Sequence, residues 1–442
     1  MKAKQIILFA TVLAAPAAQS DDFLSIYKHA LNSDTSFLAA DFQRKAASEN
    51  VLLAESVFKP TINLAGNMNY QDENIRSQGV KNSDNYTALG LDVSLNQTIY
   101  SQQNTIAINQ SKLGNEQAGF NLETASDDLI LRIASTYFTV LGAQDNLELA
   151  VSEKIAIKRQ LELAEERLNV GIGTQTDLFD AQARFQIVEA EEIGAENLIE
   201  DSMQALISII GFRPTDLSVL REDSPLVPPQ PNNVSTWVEN ANSNNPVLHS
   251  EKLAYEISNQ EIEKQRKIKT PTVSWKLGQA FSDNGGSANS GFGSDRNATT
   301  IGLQLSIPLY TSGTDRVKVR SAALNANIQE QVLEQTRRSV TRNVRNLFND
   351  VTTGIRRVSA LQQAVVASES AVEAKNEGFS AGLITNLDVL DAQRDLFQAQ
   401  RDYLRARYDY ILAVLNLEQA AGQLDIDDVI RVNSWLKEPT TA

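Results

Sequence analysis

Residues Val344–Ser380 read VRNLFNDVTTGIRRVSALQQAVVASESAVEAKNEGFS, and in them Val344, Val351, Val358, Val365, Val372 and Phe379 recur at every seventh position. An apolar residue at that interval marks the seam of a coiled coil. The helical pattern reaches back to Thr314, giving a run of 67 residues. At 1.5 Å per residue such a rod is about 100 Å long, several times the span of an ordinary helix in a globular domain. A seven-residue repeat on a 3.6-residue helix keeps its apolar line facing a partner only by supercoiling, so the rod is expected to lean on neighbouring helices along most of its length.

Much of that partnership is internal. Subtracting 211 from the six seam positions lands on Ile133, Val140, Leu147, Lys154, Leu161 and Leu168, with Lys154 alone breaking the apolar line. The same offset carries Pro271 to Pro60, Gly382 to Gly171, DVLDAQ at 388–393 to DLFDAQ at 177–182, and Gly422 to Gly211. The chain is therefore two copies of one unit of about 190 residues joined by a linker.

Composition bounds the function. The 442 residues carry a net charge of −15, with 42% hydrophobic residues, and that acidic balance argues against a nucleic-acid partner. Lys2 and Lys4, the apolar run Ile6–Ala15 and small residues near 17–20 read as a secretory signal over 1–20, to be left out of the fold. An exported chain with no cysteine has neither disulfides nor a thiol for an N-terminal lipid anchor, so packing and assembly must stabilise it. Beyond the signal no stretch is long and apolar enough for a membrane-spanning helix.

Repeat 1 is expected over 21–211, with short helices in 21–57, strands at 61–70 and 86–100 around a polar loop 71–85, and long helices at 103–169 and 176–210. A proline-rich linker follows at 212–233. Repeat 2 spans 234–422, with helices in 235–269, strands at 272–281 and 298–309 around a Gly/Ser/Asn loop 282–297, and helices at 314–380 and 385–421; a short helix and a loose tail fill 423–442. In the first strand Ile62, Leu64, Gly66, Met68 and Tyr70 alternate with Thr61, Asn63, Ala65, Asn67 and Asn69, giving one lipid-like and one watery face.

Strands of about ten residues suit an outer-membrane barrel, yet four of them leave open edges that lipid cannot satisfy, and barrels begin at about eight strands. Closure demands several copies, most simply three. Both hairpins start and finish at the helices, so all helices lie on one side of the membrane, the periplasmic side in a cell envelope, and loop 282–297 lies on the other.

The two-copy layout and the tip sequences RLNVGIGTQTDLFDAQ at 167–182 and GFSAGLITNLDVLDAQ at 378–393 resemble the TolC family of outer-membrane efflux proteins. The resemblance implies a fold of the α+β membrane class. It is a homotrimer with a 12-stranded outer-membrane β-barrel, four strands per chain, continued by a long periplasmic α-helical barrel. An equatorial band is built from the short helices and the C-terminal segment. It implies partners: a periplasmic adaptor (membrane fusion protein), an inner-membrane pump of RND, ABC or MFS type, and outer-membrane lipid. The function implied is that of a passive exit duct of a tripartite efflux pump or type I secretion system.

Asp388 and Asp391 sit three residues apart, so they share a face near a helix start, where carboxylates also suit the helix dipole and cap free N–H groups. The resemblance makes them acidic rings of a periplasmic gate, attractive to small cations and with raised pKa values. Asp177 matches a family position that pairs with a tyrosine and an arginine to hold the entrance shut, but Phe379 and Ile384 stand at those places here. A gate closed by packing of Phe379 and Ile384, or by other polar pairs, is the expectation. Gly171 and Gly382 read as helix-ending glycines, and with Val170, Ile172, Ala381 and Leu383 they form tips expected to dock the adaptor.

His29 and His249 occupy unmatched places, and no nucleophile, phosphate loop or metal motif is present, so no cofactor, metal or enzyme activity is expected. A coiled-coil envelope scaffold without a pore, or a stand-alone solute-specific porin, are the other readings of the same pattern.

Overall fold

A computed structural model describes residues 21–77, 80–285 and 294–438. The signal segment 1–20, the centre of loop 282–297 and the last residues of the tail lie outside the described residues. In chain order the elements are α1 (Phe23–Ser33), α2 (Thr35–Ser56), β1 (Thr61–Ser77), β2 (Val80–Tyr100), α3 (Gln102–Asn169), α4 (Gln175–Ile210), β3 (Val219–Leu220), α5 (Val234–Asn244), α6 (Pro246–Arg266), a 3₁₀ turn (Lys267–Lys269), β4 (Thr272–Asn284), β5 (Ser294–Ser306), α7 (Thr314–Ser380), α8 (Asn386–Ala421), α9 (Ile426–Asn433) and β6 (Leu436–Lys437). Among the described residues no helix is long and apolar enough to cross a membrane.

Two compact units share the chain. The first gathers Ala39–Thr124 and Pro246–Val340 and contains the sheet. Its four strands run in the order β1-β2-β4-β5, antiparallel throughout. The polar segment 71–85, expected as a loop, is strand on both sides of residues 78–79, because Gln71 to Ser77 continue the ladder with Tyr86 back to Val80. Polar side chains do not prevent strand pairing when the backbone hydrogen bonds are already in register. The second hairpin likewise runs longer at its loop end, to Asn284 and from Ser294, while its last strand stops at Ser306, short of the expected 309.

Register puts the apolar side chains in one band: Ile62 pairs with Leu95, Leu95 with Leu277 and Leu277 with Ile301. Members of this face, Ile62, Leu64, Met68, Ile301 and Leu303, are 68–73% exposed. An apolar sheet face left in the open, with unpaired edges at β1 and β5, is unstable in water and needs lipid on the face and further strands at the edges.

Below the sheet in the same unit, α3 and α6 are joined by amides rather than methyl groups. Gln103, Gln110 and Gln117, seven residues apart, donate to the backbone oxygens of Lys264, Ile257 and Ser250, also seven apart, at 3.2–3.3 Å. The ring of His249 stacks on Phe120 at 4.9 Å, and Gln329 of α7 donates to Glu251 of α6 at 2.7 Å.

The second unit holds the chain up to Leu38, Ala125–Asn245 and everything from Thr341. Phe23, Ile26 and Ala30 of α1 are fully buried, with Phe23 meeting Tyr137 of α3 edge-on at 5.6 Å. Arg132 grips the Asp34 carboxylate through two hydrogen bonds of 2.9 Å, and Tyr137 donates to the Ser218 carbonyl at 2.7 Å. The C-terminal segment is tied down where α9 ends: Asn433 donates to Asp22 at 2.7 Å, and β6 just beyond pairs with β3. Of the tail expected to be loose, residues 434–438 are therefore ordered.

In the same unit the seam of α7 buries Val344, Val351 and Val358 completely, while Val365 and Val372 are half-covered. Helix α3 carries a second seam three residues on, with Ala143, Ala150, Ile157 and Ala164 buried, and α4 answers with Ala181, Val188 and Ala195. Alanine at most of these positions lets the helices approach closely. Lys154, the break in the apolar line, leans out of the seam to pair with Glu192 of α4.

Candidate functional site at the helix tips

Two helical hairpins end in the same turn. At the end of α3, Gly171 takes φ +79°, its N–H donates to the Leu168 carbonyl and the Ile172 N–H to that of Arg167, both at 3.0 Å. At the end of α7, Gly382 takes φ +75°, with N–H bonds from Gly382 to Phe379 (3.0 Å) and from Leu383 to Gly378 (2.8 Å). This pair of bonds closing on a left-handed residue is the Schellman motif, and glycine is needed there because a Cβ would clash with the backbone.

Each following helix then begins with a capping box. Thr174 and Asp177 exchange hydroxyl, N–H and carboxylate hydrogen bonds at the start of α4, and Thr385 and Asp388 do so at the start of α8. The Thr385 hydroxyl donates to Asp388 at 2.6 Å and its backbone N–H donates at 3.0 Å. These donors favour the ionised form, so the Asp388 carboxyl lies below the ordinary aspartate range. Within one chain the shift is thus opposite to the raised value expected for the acidic ring, because the two bonds of the cap outweigh the small desolvation of an exposed turn. Asp391, one turn on, is held by Arg394 at 3.1 Å with the carboxylate about half-exposed.

Asp177 is engaged by its own cap, and the expected link positions have other neighbours. Phe379 is 8% exposed and lies under Arg167, whose guanidinium carbon is 4.4 Å from the ring centroid; Arg167 Nη1 also donates to the Phe379 carbonyl at 3.4 Å. Ile384 sits over Gly378, where an added Cβ would meet its side chain at 3.5 Å. Further back along the same pair of helices, Gln160 donates to the Asn376 side-chain oxygen at 3.4 Å. The tip residues Val170, Ile172 and Leu383 are 70–80% exposed, and Gly171, Ala381 and Gly382 are exposed beside them.

Deeper in this unit lies a group that the seam pattern did not announce. Glu153 of α3 is fully buried and accepts from Arg184 of α4 at 2.7 Å and from Arg401 of α8 at 3.1 Å. One carboxylate thus ties a helix of repeat 1 and a helix of repeat 2 to α3. The sequence signals for it are weak, since a glutamate on a charged helix is ordinarily solvated. Arg167 heads the quoted tip motif, and the Thr-x-x-Asp spacing of both caps was readable there. Among the described residues no group of three or more His, Cys, Asp or Glu stands close enough to hold a metal.

The family model described as "Outer membrane efflux protein" matches residues 26–212 and again 237–423, two matches offset by 237 − 26 = 211 residues, the internal offset of the sequence itself. The chain belongs to the outer membrane efflux protein family. A relative within it, outer membrane protein TolC of Vibrio cholerae, is 34% identical over 422 residues, covering 95% of each chain. The proteases secretion protein PrtF of Dickeya chrysanthemi is 27% identical over 448 residues, covering 99% of this chain and 96% of that one. Among solved structures, the outer membrane protein VceC of Vibrio cholerae superposes with a TM-score of 0.76 at 19% identity, over 92% of this chain and 97% of that one. Outer membrane efflux proteins are channels of the outer membrane with a periplasmic helical barrel. The exposed apolar band of the sheet is the part that meets lipid.

Proposed function

We propose that three copies of this chain close into one passive exit duct, through which cargo delivered by an inner-membrane pump and a periplasmic adaptor leaves the cell. The observation that carries this is the sheet: one copy has four strands, two open edges and an apolar face already in the open, and three copies supply 3 × 4 = 12 strands. Family membership supports the homotrimer and its two partner classes. The family is named for efflux and PrtF for protease secretion, so small solutes and polypeptides are both candidate cargo. The duct does no chemistry on what passes.

The entrance is read at the tips. Asp388 and Asp391, repeated around the three-fold axis, form acidic rings, and the exposed Val170, Ile172 and Leu383 with their glycines are the surface for the adaptor. The closing contact is Arg167 on Phe379, which joins the tip of repeat 1 to that of repeat 2 in place of a link from Asp177. Detergent-extracted protein tests the duct: a trimeric mass together with stepwise conductance in planar bilayers is expected, and a stable single subunit, or a trimer without steps, would sink it.

A further inference from the structure

Arg394 occupies a place that the repeat symmetry leaves empty. Three residues after Asp180 in α4 comes Ala183, whereas three residues after Asp391 in α8 comes Arg394. Its guanidinium reaches both ways along the helix, with Nη1 3.1 Å from Asp391 and Nη2 3.0 Å from Asp395. All three side chains are 47–65% exposed, so they share their oxygens and N–H groups with whatever ions are in solution. Both carboxylates push the guanidinium further up, and it stays charged at every physiological pH.

We propose that Arg394 is a specificity-determining residue of the entrance: it acts as a built-in counter-ion to Asp391, so that the acidic ring passes monovalent cations while multivalent cations lodge there less tightly than bare carboxylates would hold them. The proposal deepens, and rests on, the reading that Asp388 and Asp391 face the passage. A multivalent cation binds tightly only by drawing in several carboxylate oxygens at once. Here one oxygen of Asp388 is held by Thr385 and one oxygen of Asp391 lies 3.1 Å from the fixed positive charge of Arg394, so an ion that must gather several oxygens at once competes with both and meets like charge in proportion to its own valence. Arginine suits the role better than lysine because its fork holds two carboxylates at once and cannot lose its proton. An entrance lined with bare carboxylates would be plugged by the ions it attracts.

The test uses the full-length trimer in planar bilayers, with La³⁺ added on the side of the helix tips, for the wild type, Arg394→Gln, and Asp388→Asn with Asp391→Asn. Arg394→Gln is expected to tighten block about tenfold, the order given by removing three unit charges at about 10 Å from a trivalent ion with a Debye length of about 10 Å. The doubly substituted acid variant is expected to lose the block. Block in Arg394→Gln equal to or weaker than in the wild type, with block lost in the acid variant, overturns the role of Arg394 and leaves the acidic ring standing. Block undiminished in the acid variant overturns the ring and with it this inference. Trimer mass and unblocked conductance of each variant separate these outcomes from misassembly.

Discussion

Helices α4 and α8 begin alike and then part company. Each follows a Schellman glycine, each opens on a Thr-x-x-Asp cap, and each ends at a left-handed glycine, Gly211 or Gly422. Yet α4 leaves Phe179, Ile187, Ile193 and Leu198 exposed, whereas on α8 the matching stretch of surface carries Asp391, Arg394, Asp395, Gln398, Arg405 and Asp409, with Leu387 its one exposed large hydrophobic. Geometry was duplicated and surface was not. An apolar stripe on a helix must be covered, while a charged stripe must stay wet. By that rule α8 is the helix suited to line an aqueous passage, and α4 the one suited to be packed against neighbouring copies or partners.

The largest expected effect comes from the point where both helices are tied to α3. Glu153→Leu leaves the guanidinium groups of Arg184 and Arg401 without their carboxylate; since those side chains keep 18–24% exposure, the cost is about 3 kcal/mol per chain, at the low end for a broken buried pair. Denaturant unfolding of the extracted trimer measures it, and a loss below about 1 kcal/mol would show that α4 and α8 are held independently.

A second difference lies at the far ends, where Ile207 of α4 is matched by Glu418 of α8. Burial, with Asp428 nearby, pushes the Glu418 carboxyl up to about 7 despite its bond from Arg431 of α9. A carboxyl whose folded value is raised stabilises the fold fully below its unfolded value, 4.5, and loses that contribution as pH rises through about 7. Amide exchange over 426–433 should therefore quicken between pH 5 and pH 8 after correction for intrinsic rates. Glu418→Gln should flatten the dependence, and an unchanged slope in that variant would assign it elsewhere.

Smaller effects separate the two caps. Thr174→Ala and Thr385→Ala should each cost about 1 kcal/mol of stability. Thr385→Ala alone should also move the pH dependence of conductance upward, because it releases the carboxylate of Asp388; equal pH profiles for both variants would place Asp388 outside the passage. Smallest in stability is the clasp, where Arg167→Ala removes a cation–π contact of about 0.5–1 kcal/mol. Resting conductance should nevertheless rise, and Asp177→Asn should leave it unchanged; the reverse pattern would return the closing link to Asp177.

The sequence made the long rods, the two-copy plan and the four strands legible, because each rests on periodicity or on a fixed offset. Strand ends were not legible where Gln71–Ser77 and Val80–Asn85 look like loop, since pairing there depends on a partner strand already in register. The tips were legible as glycine turns with capped helices. The contact of Arg167 with Phe379 and the bond of Arg401 to Glu153 were not, because both join residues more than two hundred positions apart whose side chains carry no periodic signal.

The glutamine rungs between α3 and α6 have one more effect. A seam of methyl groups can slide by a residue and still be greasy, but rungs spaced seven apart lose all their acceptors together if either helix slips. They act as a vernier, fixing the height at which α6 hands the chain on to β4, so that the second hairpin enters the sheet level with the first.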